Sequence, residues 1–362
     1  MIWVKASIVC KSSIKPAKFS SVCGNINFMD QFRTELKLNP GDRLHDLKTR
    51  FLTSGSCFSG AIGHRLNSMK LHAVVNPFGV IYNPVSIHHA LLYSLKQTTP
   101  PSHTYHQLQD VHFNHDFHSR FSALEYSVLE QNLDTRIRQT ENDLARTDVL
   151  MLTYGTAWVY LLKEKDHIVA NCHKRPSQDF TKRLLTTTEI HTSFAHLYDH
   201  LKKRRPDIRI ILTLSPVRHI KDTIPLNSVS KALLRVACHQ ICKEFIDVEY
   251  FPAYEIMIDD LRDYRFYHSD LIHPSEAAED YIWDRFVERY LNEATKEFIR
   301  NWKKILSALN HKPFQVNSSG HKNFLKEMLN KLQDVQSIVN VDAEIKTIQA
   351  QLDPSFHKNI DP

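Results

Sequence analysis

Thr53-Ser54-Gly55-Ser56-Cys57-Phe58-Ser59-Gly60 is the stretch on which the reading of this chain turns. Arg50-Phe51-Leu52 leads into it and the helix-like Ala61-Ile62-Gly63-His64-Arg65-Leu66 follows, so the order is strand, small-residue turn, helix. That order puts a side chain at the carboxyl end of a strand, beside the unpaired N–H groups of a helix start. The helix end favours the thiolate of a cysteine placed there, and a serine there has backbone donors near for an oxyanion. A tight packing turn would look similar. What sets this turn apart is a second segment more than two hundred residues on, Ser269-Asp270-Leu271-Ile272-His273-Pro274.

Outward from the turn, strand-like apolar runs alternate with helix-like ones. Strands are expected at Phe51 to Ser54, His72 to Val75, Val149 to Tyr154, His167 to Asn171, Ile208 to Leu214 and Val248 to Phe251. Val149-Leu150-Met151-Leu152 and the run from Ile208 to Leu212 are almost wholly apolar, as strands covered on both faces are. Thr186 and Glu189 form a capping-box pattern, and Pro206 closes the helix it opens. Further helices are expected from Ser230 to Phe245 and from Ser275 to Tyr290. The alternation predicts an α/β fold with a doubly wound parallel sheet, whose ligands bind at the carboxyl ends of the strands.

Composition narrows the class. The chain has 362 residues, 42% hydrophobic and 24% charged, enough for one large domain and an appendage. The net charge of +6 is spread along the chain, apart from Lys202-Lys203-Arg204-Arg205, so no nucleic-acid partner is expected. No apolar run approaches the roughly 20 residues of a membrane span. The six cysteines form no CxxC pair and no disulfide framework, which fits reduced thiols and a cytoplasmic protein.

Residues 1–28 hold four lysines and no acid and read as a basic leader, either disordered or upstream of a true start at Met29. Residues 29–300 read as the α/β domain. Residues 301–362 read as a helical extension, with an apolar stripe through Phe324, Leu325, Met328, Leu332, Val335, Ile338, Val339 and Ile345 on one helix spanning 321–350. That stripe suits docking or homo-oligomerisation.

The chemistry rests on a nucleophile, a base and an orienter. Asp270 stands three residues before His273, the spacing by which an acid orients an imidazole on a loop before a helix. Either Cys57 or Ser56 can serve as nucleophile.

Gly55-Ser56-Cys57-Phe58-Ser59 resembles the name-giving motif of the GSCFA family, with Ser59 where Ala usually stands. Further stretches resemble its other blocks: Asn76-Pro77-Phe78-Gly79 through Ile87, Leu152 through Tyr160, Val169 through Lys174, Ser215 through His219, and Tyr250 through Trp283. The resemblance covers roughly residues 29 to 290 and is highly specific. The family is similar to the SGNH/GDSL hydrolases. That implies a flavodoxin-like three-layer α/β/α sandwich with a central parallel sheet, and ester hydrolysis or acyl transfer through a covalent acyl-enzyme. A small-molecule or glycan acyl ester would be the substrate, and no cofactor or metal would be required.

Carrying the blocks over residue by residue puts Cys57 in the nucleophile's place, with Ser56 one step out of register. Gly155-Thr156-Ala157 lacks the Asn that normally donates to the oxyanion. Asn171 or Asn83 are candidate replacements, with Gly79 expected to supply a backbone N–H. His118 resembles a family block residue that lines the pocket, and Arg218 and His219 are expected to contact substrate. A catalytically silent domain that keeps the pocket to bind a glycan or acylated ligand is the rival reading. The missing Asn favours it, and the pairing of a reactive-type turn with Asp270 and His273 opposes it. His112, His115 and His118 would share one side of a helix, as metal ligands do. Without a Cys pair or a His-Glu-x-x-His motif, a polar loop over the site is the expectation instead.

Overall fold

The computed structural model describes residues 33–311, 313–315 and 318–352. The basic leader, with Cys10 and Cys23, lies outside them. The chain divides at Glu35, and the unit from Leu36 to Pro362 contains every element below.

Five strands make the central sheet: β1 (Arg50–Gly55), β2 (His72–Val75), β5 (Val149–Tyr154), β9 (Arg209–Leu214) and β10 (Val248–Phe251). They lie in the order β10-β9-β5-β1-β2 and every neighbouring pair is parallel. Counted along the chain this is the 2-1-3-4-5 order of flavodoxin-like sheets, whose crevice opens where the winding reverses beside β1.

Strand alternation sorts the core into two layers. Leu52, Leu150, Leu152, Ile210 and Leu212 face one side. There they meet α2 (Pro84–Lys96), α3 (Tyr126–Arg146), α4 (Thr187–Arg204) and α5 (Ile224–Glu244). Phe51, Val149, Met151 and Ile211 face the other, against α1 (Cys57–Ser68) and α7 (Glu276–Tyr290). The fold is thus the three-layer α/β/α sandwich expected. The Thr186–Glu189 capping box forms as the sequence implied.

Two small antiparallel sheets were not anticipated. β3 (Tyr105–Leu108) pairs with β4 (Val111–Asn114), and β6 (Trp158–Leu162) pairs with both β7 (His167–Val169) and β8 (Phe180–Leu184). The strand expected at His167 therefore exists but belongs to a side sheet. His112 sits on β4 and not on a helix, so the three-residue histidine spacing does not define a face. Helix α5 begins at Ile224, six residues before the expected start, with Pro225 in its first turn, where a missing N–H costs nothing.

The C-terminal helix is broken in two. α8 (Glu293–Leu309) is followed by α9 (Ser319–Val335) and α10 (Asp342–Leu352), not one helix over 321–350. Leu325, Met328 and Leu332 of the stripe are buried against Trp302, Ile305, Val341 and Ile348. Most of the stripe is thus covered within the chain, while Ile338 stays exposed. The bundle is held to the sandwich where Trp302 Nε1 donates to Ser68 O at 2.8 Å and Lys70 pairs with Glu344 at 2.7 Å. A short turn α6 (Ala253–Glu255) runs into a π-helical segment over Ile256–Leu261. No helix among the described residues is long and apolar enough to cross a membrane.

Candidate active site

Gly55 ends β1 at φ +145°, and a Cβ there would stand 2.2 Å from Thr153 O, so only glycine lets β1 and β5 close at this point. The next two residues have opposite fates. Ser56 is 2% exposed and its Oγ has no hydrogen-bond partner. Its N–H donates to Thr153 O at 3.1 Å, and its side chain does not cap α1. Gly155 packs against it, where a Cβ would lie 3.3 Å from Ser56 Cβ. Cys57, the first residue of α1, is part exposed, and its Sγ lies 3.8 Å from the Tyr82 hydroxyl. Burial first, and then Cys57, push the Tyr82 phenol up to about 12, so it stays protonated. Of the two candidate nucleophiles, the thiol is the one solvent reaches.

Asp270 and His273 are joined as the sequence implied. His273 Nδ1 meets Asp270 Oδ2 at 2.7 Å, while Asp270 Oδ1 accepts the N–H groups of Ile272 and His273 at 2.8 and 3.0 Å. The imidazole and those amides hold the Asp270 carboxyl well below the usual carboxylate range. His273 Nε2 is left without a partner. Leu271 adopts φ +58° to make this turn, and His268 N–H closes the loop on His273 O at 2.8 Å.

Arg218 fixes the loop from outside. Its N–H donates to Ile272 O at 3.2 Å, and its guanidinium lies 4.3 Å from the Tyr267 ring centre and 5.2 Å from that of Tyr264. Arg218 thus clamps the His273 loop. His219 packs edge-on against Tyr82 at 6.0 Å, and it feels the charge of His273. Burial, then Lys231, push its imidazole down to about 4, so it is neutral. No hydrogen bond joins Cys57 to His273 in this structure. From Cys57 the packing runs through Tyr82 to His219.

Of the expected oxyanion donors, Gly79 and Asn83 are engaged locally and Asn171 lies beside the side sheets. Gly79 N–H donates to Asn76 O at 2.8 Å inside a turn, and Gly79 has φ +80° with His118 so close that a Cβ would lie 2.4 Å from His118 Cβ. Asn83 caps α2, accepting Ser86 N–H at 2.8 Å and donating to Ser86 Oγ at 3.0 Å. The Asn171 carboxamide accepts His173 N–H at 2.8 Å, and its carbonyl meets His115 Nδ1 at 2.8 Å, beside the side sheets. His118 packs on Gly79, and its Nδ1 accepts Arg120 N–H at 3.2 Å. His115 and His173 are both pushed down to about 4, chiefly by burial, and they pack among aromatic rings. Among the described residues no group of three or more His, Cys, Asp or Glu is arranged to hold a metal ion.

Sequence reasoning missed Lys231. It is 2% exposed, and its ammonium donates to Gly155 O at 2.8 Å and Ser215 O at 2.6 Å. It thereby ties together the exits of β5 and β9. Burial pushes it down to about 7, below its ordinary 10.5, with no carboxylate beside it to restore the charge. Its only sequence signal is a lysine among the apolar positions of α5. Between about pH 7 and 10.5 the unfolded chain holds a proton that the folded chain lacks, so this group makes folding more favourable as pH rises across that window. Lys231→Met lacks that dependence. Its melting temperature relative to wild type is therefore highest at pH 6 and drops by pH 9, and a pH-independent difference would show that the ammonium is not desolvated.

The GSCFA family profile matches residues 50–286, and a second profile, the C-terminal domain of GSCFA domain proteins, matches 302–354. The first match alone covers more than half of the chain. This chain belongs to the GSCFA family. No curated protein sequence matches it. Among solved structures it is similar to a carbohydrate esterase family 3 protein from Talaromyces cellulolyticus, at 11% identity and TM-score 0.25 over 45% of this chain and 66% of that one. The family 3 carbohydrate esterase of Clostridium thermocellum aligns at 12% identity and TM-score 0.30 over 70% and 98%. An acetyl xylan esterase from the rumen bacterium Butyrivibrio proteoclasticus aligns at 11% and 0.31 over 75% and 66%. The chain thus spans less than two thirds of the first and third of these proteins. Scores this low add nothing to what the strand order itself establishes.

Proposed function

We propose that this chain is a thiol-dependent acyl hydrolase or acyltransferase acting on an acyl ester, a carbohydrate-linked ester included, through an S-acyl intermediate on Cys57. The observation that carries this reading is the Asp270–His273 pair, which leaves Nε2 free at the end of the sheet where Cys57 opens α1. His273 Nε2 takes the thiol proton as Sγ attacks the acyl carbonyl carbon. The tetrahedral adduct collapses, the ester C–O bond breaks, and the leaving alkoxide takes that proton from Nε2. Water, deprotonated by His273, then cleaves the thioester in a hydrolase. A second alcohol does so in a transferase.

Asp270→Asn tests the orienting role. Loss of a buried triad acid costs about 10⁴-fold. Asp270 is 44% exposed, and water compensates part of its effect, so a fall of about 10²-fold in the acylation rate is expected, with melting unchanged. An unaltered rate would remove Asp270 from the mechanism. A silent ligand-binding domain is the second reading. What favours it is that the Cys57 thiol meets Tyr82 and not His273. Apo sites often tighten only around substrate. The two readings separate on whether a 4-nitrophenyl ester leaves an acyl group on Cys57, seen as an added mass on the intact protein.

A further inference from the structure

With Gly79 and Asn83 spent on turns and caps and Asn171 beside the side sheets, the oxyanion needs another donor, and one carboxamide near Cys57 has an unused N–H. Asn76 follows β2 directly, in a left-handed conformation at φ +43° that asparagine tolerates better than most residues. Every other polar atom it owns is engaged. Its N–H donates to Thr53 O at 2.8 Å, and its carbonyl accepts Gly79 N–H and Arg120 Nη2. Its Oδ1 accepts Gly55 N–H at 2.9 Å, which settles the orientation of the amide, since only oxygen can accept there.

Only Nδ2 remains. It makes no hydrogen bond, although Asn76 is just 6% exposed, and it is not sealed from solvent. It faces the first turn of α1. A Cβ on Gly60 would stand 3.8 Å from it, and Gly60 lies one turn beyond Cys57 on the same face. The Cys57 N–H, at the start of that helix, has no acceptor. A nearly buried donor with no acceptor, aimed at a helix start with a free N–H, is an arrangement that calls for an anionic oxygen.

We propose that Asn76 Nδ2 and the Cys57 N–H form the oxyanion hole. As the Sγ–C bond forms, the carbonyl π pair moves onto oxygen, and these two N–H groups receive it. When the oxyanion collapses, the pair returns and the ester C–O bond breaks. The donor absent from Gly155-Thr156-Ala157 is thus supplied from the end of β2. This inference rests on the acyl-enzyme reading above.

Asn76→Asp separates the role from the fold, because it keeps the acceptor for Gly55 N–H and removes the donor. Two rates are read on Cys57 by intact mass: acylation by 4-nitrophenyl acetate, which needs an oxyanion hole, and alkylation by iodoacetamide, which does not. The expected result is acylation slowed by about 10² to 10³-fold, alkylation within about threefold of wild type, and a melting temperature close to wild type. Acylation at the wild-type rate overturns the inference and leaves the acyl-enzyme reading standing. Acylation and alkylation falling together also overturn it, because the variant then acts on the thiol and not on the oxyanion. A wild-type protein that alkylates at Cys57 but never acylates overturns the acyl-enzyme reading, and the oxyanion role with it.

Discussion

Cys57→Ala abolishes acyl transfer, by about four orders of magnitude or more, while Ser56→Ala leaves it intact. The sizes follow from the opposite surroundings of the two residues. Cys57 starts α1 with its thiol part exposed, and removing a nucleophile that acts in concert with a base costs nearly all of the chemical step. Ser56 is sealed under Gly155 with an unpartnered hydroxyl. Deleting that hydroxyl relieves an unsatisfied buried group, so stability changes by less than about 0.5 kcal/mol or rises slightly. Single-turnover acylation and thermal melting on the two variants check both halves. A Ser56→Ala protein that folds and is inactive would reverse the assignment.

The second large effect is on folding. Gly55→Ala places a Cβ 2.2 Å from Thr153 O and 2.9 Å from Thr153 C and N, all backbone of the neighbouring strand. Nothing there is a flexible side-chain end that can turn aside. The φ of +145° is strained for any L side chain as well. The β1–β5 pairing must open, at a cost of about 4 kcal/mol, which for a unit of this length lowers the melting temperature by roughly 5–8 °C. Recovery of soluble protein and calorimetry measure it. A wild-type melting temperature would mean that the two strands are farther apart than the register Gly55↔Thr153 implies.

The central sheet was legible because its strands announce themselves. Val149–Tyr154 and Arg209–Leu214 are buried on both faces, and a run of large apolar residues between polar turns has few other uses. The side sheets were not legible. Their strands are short and partly exposed, and β3 and β4 carry histidines where β-branched residues would signal a strand. The break between α9 and α10 went unseen because the apolar stripe continues through Val335, Ile338 and Val339 across the bend.

The site divides along similar lines. Asp270 and His273 are close in sequence and carry their own geometry. The oxyanion donors bring together distant segments, and a carboxamide looks the same in sequence whether it caps a helix or binds a ligand. At Asn83 a signal did exist: an asparagine before Pro84 is a common helix opening, and that is its use here. Asn76 gave no such signal, since its fate depends on Gly55 across the β1–β2 boundary. Lys231 was hidden because a lysine on a long helix ordinarily belongs to the solvated face.

The most direct test of the account is the site and rate of thiol alkylation by limiting iodoacetamide, located by peptide mass, in wild type and in His273→Ala. Among the cysteines of the described residues, Cys57 is expected to be modified first, ahead of Cys172, Cys242 and the buried Cys238, and loss of His273 to slow this reaction by about tenfold or more. Modification of Cys57 no faster than of a small free thiol, or at a rate indifferent to His273, would contradict it.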